Sequence, residues 1–340
     1  MSNQLPTVTS SPVQLHRFIA DCMQAVGASA TDAEYMAGQL ISSELAGHAS
    51  HGLRRLPEYV DRALAGHAKP GAQATVDLDS GALVRLDAHE TYGHFALRDA
   101  TALAVERSKK YGISAVAVHS SEYAGRLAPF CEQAAEAGVV TLIFGNNNGA
   151  GQIVVPPGGT QARLSTNPLA AGVPRAEAPH LVIDFATSAV ASGRLAEERD
   201  RGNKLSADWV GADGLLKPFG GFKGFGLGLL VEALGGALSG SQTVSERKTA
   251  DHQGTLIIAI DVAQLRDLDE YTAQIEEFIS YVKGSELLDA TEPIRVPGER
   301  APSSAQIEAA TAITLNLKTW ENMQRVAVVL KVEMPAESQE

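Results

Sequence analysis

Three absences narrow this chain before any motif is read. Cysteine is nearly missing: Cys22 and Cys131 are the only two in 340 residues, too few for a disulfide framework or a cysteine-rich zinc site. Long apolar runs are missing too, and without about 18 consecutive apolar residues no membrane span is expected. Basic charge is in deficit, with 28 Lys and Arg against 40 Asp and Glu and a net charge of −12. A surface of that sign disfavours non-specific binding to nucleic acid or to anionic membranes. It leaves room for an anionic substrate, because a local cluster of Arg and Lys can act inside an acidic protein.

The usual nucleotide signatures are also absent. There is no GxxxxGK[ST] loop, and no strand runs into GxGxxG at the opening of a helix with an acid about 20 residues on. Gly224-Phe225-Gly226 follows Lys223 rather than a strand of that kind. A Rossmann fold with its standard fingerprint is disfavoured. The segment Met1 to Pro12 is polar and lacks an apolar signal core. It reads as a short disordered lead, and the expectation is a cytoplasmic protein. No repeat and no low-complexity tract appears.

What is present is an ordinary globular composition, 44% apolar and 20% charged, in a chain too long for one small core. Helix and strand patterns alternate. Two helices fill Ser11 to Ala46, the second open to capping by Thr31 or Asp32. A helix over Leu53 to Ala65 stops at Gly66. Strand Ala82–Leu86 precedes helix Phe95–Tyr111, and strand Ile113–Val118 precedes helix Ala128–Ala137. Strands Val139–Phe144, Leu181–Phe185 and Thr255–Ile260 are apolar. Gly224–Leu238 reads as a Gly-rich helix, Tyr271–Lys283 as another, and Ser304–Ala309 and Leu317–Val332 as the last two. A helix-Gly-strand rhythm of this kind marks an α/β protein.

The densest chemistry lies in Gly47-His48-Ala49-Ser50-His51-Gly52-Leu53-Arg54-Arg55-Leu56-Pro57-Glu58-Tyr59. Imidazole is the side chain best suited to proton transfer near neutral pH. A guanidinium grips a carboxylate through two hydrogen bonds. The stretch reads either as a site that holds an organic acid and moves a proton, or as a solvated helix start. His48 and His51 stand three apart, but the run bends through Gly52 and no third ligand follows, so no metal is expected.

Four further stretches carry polar groups at element ends. Ser120-Ser121-Glu122-Tyr123-Ala124-Gly125-Arg126 follows a buried strand, where sites gather in α/β proteins; an ordinary loop is the alternative. Ser165-Thr166-Asn167-Pro168 is a polar turn. Asp184-Phe185-Ala186-Thr187-Ser188 follows a strand and could serve a ligand or cap a helix. Pro218 to Gly226 puts Lys223 in a Gly-rich turn whose amides can cradle an anion.

With Gly221-Phe222-Lys223-Gly224, Leu234-Gly235-Gly236-Ala237-Leu238-Ser239-Gly240 and Arg295-Val296-Pro297-Gly298-Glu299 added, the order and spacing of these motifs resemble the type-2 malate/L-lactate dehydrogenase family over nearly the whole chain. That family includes ureidoglycolate dehydrogenase, 2,3-diketogulonate reductase, sulfolactate dehydrogenase and reductases of piperideine- or pyrroline-2-carboxylate. The resemblance implies an NAD- or NADP-dependent oxidoreductase on a non-Rossmann α/β fold, with a mixed sheet and a helical domain built from both chain ends. It places residues 1–76 plus 300–340 in the helical domain and 77–299 in the cofactor-binding domain. It also implies a homodimer whose active site draws on both subunits.

Carried over by residue, the resemblance makes His51 a proton donor, Ser50 its neighbour and Arg55 the candidate for the substrate carboxylate. His48, Thr166 and Asn167 fall on the substrate side. Asn147, Asp184, Phe185, Ala186, Thr187, Ser188, Phe222, Lys223, Gly298, Glu299 and Arg300 fall on the cofactor side. The chain departs from the family near the chemistry. Tyr123 stands where relatives carry an acid/base His. Ala49 replaces a frequent Asp, and Ser165 a usual Gly. The segment from Gly202 to Pro218 is shorter. A phenol is a poorer base than imidazole but can donate a proton. The expected reaction is therefore hydride transfer to C2 of a 2-oxo acid or cyclic 2-imino acid, Arg55 holding the carboxylate and His51 or Tyr123 giving the proton. The alternatives are a degenerate member that binds without turnover, and a lyase or isomerase use of the same pocket.

Overall fold

The computed structural model describes residues 6–147, 152–200, 202–211, 214–245, 252–300, 306 and 309–337. The helix expected over Ser304–Ala309 lies almost wholly outside the described residues.

The supposed disordered lead is partly ordered. Strand β1 (Thr7–Ser10) pairs antiparallel with a strand near the other end of the chain, Ile313–Asn316. β-branched Thr7, Val8 and Thr9 suit an extended backbone, and Ser10 is already buried. Helices α1 (Pro12–Ala25) and α2 (Ala30–Leu45) follow. Ser29, rather than Thr31 or Asp32, caps α2: its Oγ accepts the Asp32 N–H at 3.1 Å and donates to Asp32 Oδ2 at 2.7 Å. The cap and the third helical residue thus satisfy each other, as in a capping box. Two short 3₁₀ turns, Ala49–His51 and Leu53–Arg55, lead into α3 (Leu56–Leu64). These helices bury Leu15, Phe18, Met36, Leu40, Leu53 and Leu56 against Trp320 and Met323 of the last helix, Leu317–Leu330. Asn316 caps that helix by accepting the Thr319 N–H at 2.8 Å.

The second core is built on seven strands: β2 (Thr75–Asp79), β3 (Leu83–Asp87), β4 (Ile113–Ser121), β5 (Val139–Asn147), β6 (Leu169–Val173), β7 (Leu181–Phe185) and β8 (Gln253–Asp261). Their spatial order is β2-β3-β4-β8-β5-β6-β7. Only β3 and β4 run parallel; each other neighbouring pair is antiparallel. The sheet is therefore mixed, as expected, and cannot be a doubly wound parallel one. Helices α4 (Gly93–Tyr111) and α5 (Ala128–Glu136) pack on it through alanines: Ala100 and Ala104 join Val116 and Ile257, and Ala134 joins Ile143 and Ala170. Small side chains let helix and sheet close tightly.

Helices α6 (Ser192–Asp200), α7 (Phe222–Val231) and α8 (Leu268–Lys283) complete the set. The helix expected over Gly224–Leu238 starts two residues earlier and changes character midway, Glu232–Leu238 being π-helical. A buried polar knot marks that change. Glu232 accepts from Asn167 Nδ2 at 2.9 Å and from the Val244 N–H at 2.9 Å. Among the described residues no helix is long and apolar enough to cross a membrane.

Candidate active site

A cavity of about 1040 Å³ opens between the two cores. One wall is the His48–Arg55 segment. The second is the loop that leaves β4, carrying Tyr123 and Arg126. The third is formed by the ends of β5 and β7 and by the loop around Gly298. Each wall is held by specific contacts, several of them between residues far apart in the chain. Glu44 on α2 accepts the Leu53 N–H at 2.7 Å, and a Cβ on Gly52 would fall 2.7 Å from its Cδ. Gly52 therefore lets the His51 turn lie flat on α2. Helix α6 covers the same turn so closely that a Cβ on Gly193 would overlap the Ser50 Cβ. Asp184, at the end of β7, accepts the Leu127 and Ala128 N–H groups at 2.8 and 2.9 Å. It caps α5 across the cavity and so fixes the Tyr123–Arg126 loop.

Aromatic packing orders the chemical groups. His51 and Tyr123 stack with ring centroids 6.3 Å apart, and Tyr123 stacks in turn on Tyr59 at 6.2 Å. The Arg55 Cζ lies 4.8 Å from the Tyr123 ring centroid, a cation–π contact. Ser50 Oγ is 2.9 Å from His51 Nδ1. The His51 ring is held neutral: burial first, and then the Arg55 charge, push its pKa down to about 3. Burial moves Tyr123 the other way, so its phenol keeps its proton at neutral pH. One member of the stack is a proton acceptor and the next a proton donor.

The structure gathers most of the residues singled out from the sequence. His48, Ser50, His51, Arg55 and Tyr123 line one end of the cavity, with Thr166. Asn147, Asp184, Phe185, Ala186, Ser188, Gly298 and Arg300 line the rest. Five expected residues are not in the wall. Asn167 is fully buried, and its amide nitrogen donates to Glu232 and to the Gly228 carbonyl. Thr187 is buried behind the wall, its hydroxyl donating to the Thr166 carbonyl at 3.0 Å. Glu299 is half-buried, its carboxylate paired with Lys283 at 2.7 Å and accepting the Val296 N–H at 3.1 Å. Phe222 and Lys223 open α7 on its exposed side, turned out by the left-handed Gly220 and Gly221. Asp184 does line the cavity, but one carboxylate oxygen already serves the amides of α5.

Two groups went unassigned from the sequence. Glu122 reaches the cavity in an ion pair with Arg62, whose Nη2 donates to Oε1 at 2.8 Å. Arg126 lines the cavity with, among the described residues, two hydroxyls as its hydrogen-bond partners, Ser43 Oγ at 3.0 Å and Ser42 Oγ at 3.3 Å. Both belong to the stretch after β4 that was noted as chemical. Their partners lie 60 and 83 residues away, which spacing along the chain cannot show.

The sequence profile described as malate/L-lactate dehydrogenase matches residues 11–324. The chain belongs to that family. It is 32% identical over 336 residues to the L-lactate dehydrogenase of Cupriavidus necator, covering 93% of this chain and 96% of that protein. It is 31% identical over 344 residues to hydroxycarboxylate dehydrogenase B of Escherichia coli strain K12, covering 95% and 94%. The solved Δ1-piperideine-2-carboxylate reductase of Pseudomonas syringae superposes with a TM-score of 0.80 at 29% identity, covering 94% and 99%. As a member of the malate/L-lactate dehydrogenase family the chain is an NAD- or NADP-dependent oxidoreductase. The degenerate and non-redox alternatives are not favoured.

The cavity fits that cofactor class. Pockets for drug-sized ligands span roughly 300–1,000 Å³, so a small acid alone would leave most of this one empty. Its rim carries the exposed cations Arg295 and Arg300 beside Gly298, suited to phosphate groups. The His51, Tyr123 and Arg55 side chains cluster together in this cavity, and the β5, β7 and Gly298 segments form other parts of its wall.

Proposed function

We propose that this protein reduces a 2-oxo acid or a cyclic 2-imino acid at C2, with the oxidation of the 2-hydroxy or cyclic amino acid as the reverse. The observation that carries the reading is the His51–Tyr123–Arg55 cluster at one end of a cavity large enough for a dinucleotide as well as a small acid. The names of the relatives, L-lactate dehydrogenase on one side and Δ1-piperideine-2-carboxylate reductase on the other, support both halves of that substrate class.

A nicotinamide, when bound, supplies or accepts the hydride. This chain's residues do the rest. The arginines that line the cavity near Tyr123, Arg55 and Arg126 among them, supply the positive charge that draws the carboxylate in. Tyr123, protonated at neutral pH, donates to the oxygen or nitrogen on C2 as negative charge develops there. His51, neutral and hydrogen-bonded to Ser50, stacks on Tyr123 and in the oxidative direction is the ring that accepts a proton, while solvent restores the proton that Tyr123 gives up in the reductive direction. Asn147, Asp184 to Ala186, Ser188, Gly298 and Arg300 form the cofactor side of the wall. Helix α6, lying on Ser50, shields the reacting end from water.

The same reading includes a cytoplasmic homodimer. Cys22 and Cys131 are free and buried, in keeping with a reducing compartment. The outer face of α7 and the π-helical segment leaves Phe222, Leu229, Leu230 and Leu238 exposed, an apolar strip suited to a second subunit. The deciding experiment is a titration with NADH and with NADPH followed by turnover of pyruvate and of a cyclic imino acid. Micromolar binding of one cofactor with turnover of either substrate is expected. No binding of either at millimolar concentration would overturn the reading.

A further inference from the structure

The cationic groups of the cavity differ in one respect that bears on substrate binding. Arg55 is already committed: its Nη1 is ion-paired to Glu58, its Nε donates to the Ser50 carbonyl at 3.0 Å, and its guanidinium lies over Tyr123. Arg62 is paired with Glu122, and Arg194 with Glu198 at 2.9 Å. Arg126 has no such partner among the described residues. Its Nε and Nη2 donate to the neutral hydroxyls of Ser43 and Ser42 on α2. Ser43 is buried and passes its own proton to the Gln39 carbonyl at 2.8 Å, so its oxygen can only accept from Arg126. That chain of bonds aims the guanidinium and leaves Nη1 uncommitted.

Glu132 and Asp184 act on Arg126 through space, but neither hydrogen-bonds to it among the described residues. One Asp184 oxygen serves the α5 amides. Burial biases Glu132 towards its neutral form. His48, His51 and His94 are all kept neutral partly by the Arg126 charge. A desolvated cation without a counterion is costly, and an arriving anion removes that cost.

We propose that Arg126 is the receptor for the substrate's carboxylate, and that Arg55 is a positioning residue for Tyr123. This rests on the reading of the cavity as an oxo- or imino-acid reductase. Arg126 leaves the same short loop as Tyr123, so a carboxylate on its guanidinium puts C2 beside the donating phenol. Ser42 and Ser43 then act through Arg126, holding its fork towards the cavity.

The test compares Arg126→Gln, Arg126→Lys and Arg55→Gln with pyruvate as substrate, and measures binding of oxamate, an unreactive analogue, by calorimetry. Arg126→Gln should raise KM about 100-fold and leave kcat within about threefold, while cofactor affinity stays unchanged. Arg126→Lys should recover part of that loss, because the charge returns without the fork. Arg55→Gln should lower kcat more than it raises KM. A KM loss that follows Arg55 and spares Arg126 would overturn the assignment, as would loss of kcat alone in Arg126→Gln. Should no acid be turned over, the reductase reading fails, but oxamate still reports on Arg126. Binding to the unaltered protein and not to Arg126→Gln upholds the receptor. Equal binding to both, or to neither, removes it.

Discussion

The Tyr123 ring is held between two partners of opposite proton demand: it stacks 6.3 Å from the neutral His51 imidazole and has the Arg55 cation 4.8 Å from its centroid. Tyr123→Phe keeps the ring, the stack and the cation contact and removes the hydroxyl, with its proton and its interaction with Arg55. We expect kcat for reduction of a 2-oxo acid to fall about 100-fold, within the usual range for general-acid groups, with KM little changed. Steady-state kinetics checks this, and full activity in Tyr123→Phe would remove the phenol from the proton path.

The pH dependence of kcat/KM reads the free enzyme. Burial and Arg55 hold the His51 pKa down to about 3, and burial raises that of Tyr123. The profile for a 2-oxo acid should therefore be flat from about pH 5 to about pH 9. An inflection near pH 6.5 that vanishes in His51→Gln would show that the imidazole titrates as it does in water.

His94 lies wholly inside the protein, edge-on to Tyr59 at 5.4 Å, and burial lowers its pKa to about 3. Its folded pKa is below the ordinary value of 6.5, so between those two pH values the unfolded chain binds the proton and the folded chain does not. Stability should accordingly fall as pH drops through that window, by about 1.4 kcal/mol per pH unit for this one group. Urea midpoints taken from pH 7 to pH 4 in the unaltered protein and in His94→Gln should show a shallower slope in the variant. Parallel slopes would count against the buried neutral ring.

Gly193 is where α6 meets the His51 turn, with no room for a Cβ beside Ser50. Gly193→Ala should push the helix off the turn and open the reacting end to water. A drop in kcat of about tenfold or more is expected, with the melting temperature nearly unchanged because, among the described residues, α6 contributes Leu195 alone to its small core. An alanine variant with unaltered kcat would mean that the helix end yields without disturbing Ser50.

Much of this was legible in the sequence where the signal is local. Helices ending on Gly112 and Gly138, and the apolar runs of β4, β5 and β8, carry their own boundaries. β2 was invisible because it is an edge strand whose side chains are all exposed, so no buried face imposed alternation on it. β6 was hidden inside an apolar run after Pro168. The motif residues of the His51 end were found because chemistry and turn lie together. The roles of Asn167 and Thr187 were not, since each acts on a partner elsewhere: Glu232 and the Thr166 carbonyl. Asp184 does cap a helix, one of the two readings its stretch allowed, but that helix is α5, whose Ala128 amide lies 56 residues away. A polar residue at a strand end announces that it has a partner without saying whether that partner is a ligand or the fold itself.

The pairing of β1 with Ile313–Asn316 has a consequence for how the molecule is made. The Thr9 and Thr314 hydroxyls that meet across it are separated by 305 residues of chain. The first ordered strand to leave the ribosome must wait, its edge open, until almost everything else has been translated. The helical core it borders, with Trp320 and Met323 still to come, waits with it. During synthesis the sheet half can condense while the helical half remains a loose end. A nascent chain arrested after β8 should then show a protease-resistant sheet domain and a sensitive amino-terminal segment. The seating of the His51 turn, which lies beside that late-closing core through Leu53 and Leu56, is completed only with the final helix.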